Sequence, residues 1–175
     1  MEAIERTLQN QDWITLLILG TLFLLVLAKE GFYQRFTEFA MLFATNKYLL
    51  LRSKDTGIFH PFSSILFVVN ILSVSLFAYL FYDVYTEGNI TRPGVTFLRI
   101  MTAYTSFILL KFAIEKIAAN ILDFEQRMEQ YQFYKLTYRN FLSLGLIPLN
   151  ILFFYVFEPS LGVLYFLIGL ILFLN

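Results

Sequence analysis

Apolar residues run along this chain in five blocks separated by charged segments, and the blocks have the length of membrane crossings. The first, WITLLILGTLFLLVLA, carries no charge and is followed at once by Lys29 and Glu30. A crossing helix needs roughly 20 mostly apolar residues. That requirement predicts spans at about 12–28, 61–82, 94–117, 141–157 and 161–174. The first, fourth and fifth are short, so they borrow interfacial residues or sit where the bilayer is thin. Glu158, Pro159 and Ser160 separate the last two. Proline inside a helix loses a backbone bond, which predicts a tight turn there; the alternative is one long helix kinked at Pro159. The chain thus reads as one integral membrane domain over 1–175, an all-α polytopic transmembrane bundle of five spans.

The two longer connections are patterned as well. Phe32, Phe36, Phe39 and Phe43 recur at spacings of four, three and four, with Gln34, Arg35 and Glu38 opposite. That is one face of a helix, expected over 31–44 and lying in the headgroup plane. In the second connection Phe124, Met128, Tyr131, Tyr134 and Tyr138 line a face, as if the third span extended beyond the membrane. Either stripe packs on the protein's own helix ends and lipid, or serves as a docking surface for a partner. These are the two amphipathic cytoplasmic segments of the expected fold.

Composition agrees with the pattern: 58% of residues are hydrophobic and only 15% charged, against about 25% charged in soluble domains, and the mean hydropathy is +0.67. The net charge of +0 offers no field for nucleic acid. There is no cysteine, which removes disulfides and thiolate chemistry, and the single histidine, His60, cannot build an imidazole-rich metal site. Glu2, Glu5 and Asp12 outweigh Arg6 ahead of the first block, the wrong charge for a secretory signal. Lysines and arginines concentrate in the two long connections: Lys29, Arg35, Lys47, Arg52 and Lys54, then Lys116, Arg127, Lys135 and Arg139. The positive-inside rule places both in the cytoplasm and the N-terminus outside. Residues 83–93 and 158–160 then lie outside, and Asn175 inside.

Polar residues within the spans are the candidates for chemistry, because a charge at bilayer depth costs roughly 2.5–3.5 kcal/mol on insertion scales. In the third span Arg99, Thr102 and Ser106 share one face, and Tyr104, Lys111 and Glu115 another. Lys111 and Glu115 stand at i, i+4, the spacing of an ion pair. Arg99 and Lys111 are about 18 Å apart along the helix and cannot share one small site. Both can snorkel to opposite interfaces; the alternative is a polar cavity. The polar faces predict that the third span is the most enclosed, with Ser106 toward Asn70 or Asn150. Asn70, Ser73 and Ser75 in the second span, and Asn150 and Tyr155 in the fourth, read first as interhelical hydrogen-bonding groups. Pro148 bends the fourth span beside Gly145.

Catalytic constellations are missing. The sequence has no glycine-rich phosphate loop, no His-Glu-x-x-His and no G-x-S-x-G. Asp12, Asp55, Asp83 and Asp123 are scattered singly. No cofactor or metal is expected, and enzyme activity is not the favoured reading.

The opening DWITLLILGTLFLLVLAK, the run RFTEFAMLFATNKYLLL followed by HPF, and the aromatic YQFYKLTYRN together resemble a small family of Bacteroidota membrane proteins, domain of unknown function 4271. The likeness covers 12–175. It implies the inner membrane of a two-membrane envelope, and a chain that continues past Asn175. It brings no active-site residues. The leading expectation is a non-enzymatic, multi-pass subunit or scaffold of an envelope complex. Its partners are the lipid bilayer and other membrane subunits, with the type IX secretion and gliding machinery suggested by lineage alone. The alternatives are a transporter or channel subunit using the third span's polar face, and a lipid-handling protein that holds a phosphate at Arg99 or the basic rim.

Overall fold

The computed structural model describes residues 12–43, 60–121, 125–157 and 159–174. Among these the chain is helical and contains no strand. The helices are α1 (Asp12–Gly31), α2 (Tyr33–Ala40) with a 3-10 turn over Met41–Phe43, α3 (Pro61–Tyr85), α4 (Pro93–Ile121), α5 (Glu125–Tyr155) and α6 (Leu161–Leu174). Three of them, α1, α3 and α4, are long and apolar enough to cross a membrane. With 14 residues, α6 rises about 21 Å, less than the roughly 30 Å of hydrocarbon.

Local chemistry sets several of these boundaries. Asp12 in the first turn of α1 and Lys29 in its last complement the helix dipole. The chain turns at Phe32 and re-enters helix as α2, with Phe36 donating its backbone N–H to the Phe32 carbonyl at 2.9 Å. At the start of α3, His60 Nδ1 accepts from the Phe62 N–H at 3.1 Å, and Pro61 occupies the first helical position, where its missing donor costs nothing. The other end closes in a Schellman turn. Gly88 N–H reaches the Asp83 carbonyl and Glu87 N–H the Val84 carbonyl, with Glu87 in the left-handed region at φ 52°. Past Tyr155, the N–H groups of Val156 and Phe157 both point to the Leu152 carbonyl. The helix therefore stops before Pro159, and α6 starts afresh; the two last blocks are separate helices rather than one kinked rod.

The aromatic segment after α4 belongs elsewhere than the sequence suggested. It forms the leading half of α5, 31 residues long, and does not extend the third span. No glycine or proline falls between Glu125 and Phe141, so nothing interrupts the helix as it passes into the apolar block. It continues through Pro148 as well.

Helix α3 is the hub, touching α1, α4, α5 and α6. At one end Ala28, Phe39, Leu42, Phe62, Leu66 and Phe133 form a buried cluster. At the other, Ile14, Ile18, Leu76, Tyr79 and Phe97 form a second, on which Trp13 packs edge-on to Tyr79 with ring centroids 5.2 Å apart. The ends of α1 and α4 facing the two long connections thus share one side with the starts of α3 and α5. A third cluster, of Phe77, Leu80, Leu146 and Leu164, fastens α6 to α3 and α5. The expected enclosure of the third span is overturned. Burial covers 56% of the most apolar stretch of α3, 22% of that of α1 and 11% of that of α4. The interior polar groups that bind helices together sit on α3 and α5, so those two enclose each other and leave α4 at the edge.

Candidate functional site

A seam of small polar side chains runs between α3 and α5. On α3 it holds Ser63, Asn70, Ser73 and Ser75; on α5 Thr137, Asn140, Ser143 and Asn150, all buried. Asn70 Nδ2 donates to the Arg139 carbonyl at 3.0 Å, and Asn150 Nδ2 to the Ser73 carbonyl at 2.9 Å. Tyr104 reaches in from α4 and donates its hydroxyl to Asn70 Oδ1 at 3.1 Å. The α4 residue on Asn70 is thus Tyr104, not Ser106. Tyr155 lies outside the seam and shares a 2.7 Å hydrogen bond with Thr15 of α1.

Beside the seam, α4 and α5 line a small, half-open cavity of about 40 Å³ whose accessible walls are mostly apolar. Its polar lining is Lys111 and Glu115 from α4 with Gln132, Lys135 and Arg139 from α5; Ile108, Phe112 and Leu136 complete it. Glu115 forms its ion pair across the helices with Lys135, rather than along its own helix with Lys111 as the i, i+4 spacing suggested. A partner on a packed neighbouring helix is held in place by the fold, whereas Lys111 is exposed. Arg139 lies over the ring of Phe67, 5.5 Å from its centroid. Its Nε and the Nε2 of Gln132 are buried without a hydrogen-bond partner.

The other sequence candidates scatter. Arg99, Thr102 and Ser106 all face outward on α4. Thr102 donates its hydroxyl to the Leu98 carbonyl at 2.8 Å, the back-bonding common for threonine within helices. Of the aromatic stripes, Phe39 is 1% exposed within the bundle, and Phe32 and Phe36 pack against that core. Tyr134 joins the same cluster, whereas Tyr131 and Tyr138 are exposed and Met128 is half-buried. Phe124 and the side chain of Phe43 lie outside the described residues.

Sequence reasoning missed Gln132, Lys135 and Arg139 as neighbours of Lys111 and Glu115, because it assigned them to a cytoplasmic connection. The signal was present: Gln132, Arg139, Ser143 and Asn150 recur at spacings of seven, four and seven, a single helical face. Among the described residues no cluster of histidine and acidic side chains could hold a metal ion.

The family model described as Domain of unknown function (DUF4271) matches residues 14–175. None of the curated proteins and none of the solved structures compared with the chain matches it.

Proposed function

The chain belongs to the DUF4271 family, and from that premise we propose that it is a non-enzymatic, multi-pass subunit of a membrane protein complex that docks through the outward face of α4. One observation carries this reading. Of the three helices able to cross a membrane, α4 is the least apolar and also the least covered by the rest of the chain. A helix surrounded by lipid gains by being apolar all round, while polar faces gain by pointing at protein. On α4 the polar face of Arg99, Thr102 and Ser106 points away from its own bundle. Arg99 stands six residues past Pro93, about 9 Å along the helix, and no ion-pair partner reaches it among the described residues. Small hydroxyl side chains allow close helix approach and hydrogen bonding in the membrane. The partner that fits is a helix of another membrane subunit offering a carboxylate or other acceptor level with Arg99.

The same proposal includes five crossings, with the apolar half of α5 as the fourth and α6 as the fifth. Support comes from the packing of Leu164 of α6 into α3 and α5. It puts the N-terminus in the periplasm and the basic connections in the cytoplasm, by their lysine and arginine content. The compartment is a bacterial inner membrane, on the strength of the family resemblance. A type IX secretion or gliding complex is the host that the same lineage suggests.

Extraction of the tagged chain from native membranes in a mild detergent tests the docking face. The wild-type chain is expected to migrate as a complex well above its own 20.5 kDa mass. Thr102→Leu with Ser106→Leu is expected to release it as a smaller species with undiminished folded yield. Identical sizes for the two proteins would contradict the proposal.

A further inference from the structure

We propose that the cavity between α4 and α5 binds a phosphate oxyanion, carried by an anionic lipid headgroup or by free phosphate. The proposal is independent of the docking face, since Arg99, Thr102 and Ser106 are not among its lining residues. Its charge is lopsided: Lys111, Lys135 and Arg139 stand against the one carboxylate of Glu115. That carboxylate is engaged by Lys135, which leaves Lys111 and Arg139 without an ion-pair partner of their own among the described residues.

Two donors in the lining have nothing to bond. Gln132 is only 5% exposed, yet its Nε2 has no partner, and neither has the buried Nε of Arg139. Leaving buried donors unpaired costs about 1–3 kcal/mol each, which an acceptor ligand would recover where a side-chain adjustment brings either donor to the cavity. Three cationic side chains and one carboxylate line this small space, and the two unpaired donors belong to residues of the same lining. That combination selects an anion and repels a metal ion.

Size and depth narrow the class. A volume of about 40 Å³ holds roughly three water-sized groups, the footprint of the free oxygens of one phosphoryl group. The Arg139 carbonyl is level with Asn70, nine residues and about 14 Å into α3. Gln132 lies beside Phe133, which packs with Phe62 at the very start of α3. The cavity therefore reaches from the membrane boundary inward. Ile108, Phe112 and Leu136 supply an apolar wall, and Leu109 and Leu110 of α4 extend an apolar surface outward, along which acyl chains can lie.

The test uses the full chain in nanodiscs of phosphatidylcholine. One arm replaces a tenth of the lipid, roughly, with phosphatidic acid and counts retained lipid by native mass spectrometry; the other titrates inorganic phosphate and follows the 31P line width. Saturable binding is expected in at least one arm, and the arm that responds identifies the source. Lys111→Gln, a change at an exposed position, is expected to weaken binding about tenfold, the worth of one charge-assisted contact. Glu115→Gln removes the competing carboxylate, frees Lys135 and is expected to tighten binding. Arg99→Gln, the same charge change elsewhere on α4, is expected to leave it unaltered. No binding in either arm, binding that Lys111→Gln leaves unchanged, or weaker binding by Glu115→Gln would each overturn the proposal.

Discussion

Asn70 is fully buried and uses both ends of its amide, one on the Arg139 backbone and one on the Tyr104 hydroxyl. It therefore joins three helices at one point. Removing Tyr104's hydroxyl breaks a single bond, worth about 0.6 kcal/mol on average in a membrane. Asn70→Leu breaks two and leaves the hydroxyl of half-buried Tyr104 without that partner, so about 1–3 kcal/mol is expected. Reversible unfolding in mixed micelles should rank Tyr104→Phe well above Asn70→Leu in stability. Equal losses would show that Asn70 acts only through Tyr104. The asparagines were legible in the sequence as interhelical groups. Their partners were not, because each bonds to a backbone carbonyl, which every residue carries.

Elements were legible where one period governs a whole segment. The phenylalanine stripe of 32–43 predicts a helix, and α2 with its 3-10 turn occupies that place. The pattern left open what the stripe would face; the structure turns Phe39 into the protein's own core, edge-on to Phe62 with ring centroids 5.9 Å apart. Phe39→Ala is expected to cost about 3–5 kcal/mol through the cavity it opens, and the exposed Gln34→Ala less than about 0.5 kcal/mol. Denaturant titration of the two variants checks the contrast; a silent Phe39→Ala would mean that α2 is not packed as described. α5 was less legible. Its polar half reads as a connection and its apolar half as a span, since window hydropathy averages the face around Gln132, Lys135 and Arg139 with the exposed aromatics beside it. The cavity went unread for the same reason. Its residues lie on two helices, twenty positions apart from Glu115 to Lys135, and spacing along one helix pointed to Lys111 instead.

At the scale of the whole molecule, burial and apolarity fall together from α3 to α4. Helix α3 is the most apolar of the three crossing helices and lies inside; α4 is the least apolar and lies at the edge. In water the first half of that statement would be ordinary. In a bilayer, where lipid is as apolar as leucine, an outward polar face is the feature on which the proposed docking of another membrane helix rests. The absence of native cysteine and the simple geometry of α4 make the claim directly measurable. A photoreactive side chain at Ser106, on the outward polar face, is compared in native membranes with one at Phe23, 62% exposed on the apolar α1. The account expects a discrete protein adduct from position 106 that is lost when Arg99 is changed to leucine, and lipid adducts alone from position 23. Lipid adducts alone from both positions would contradict it.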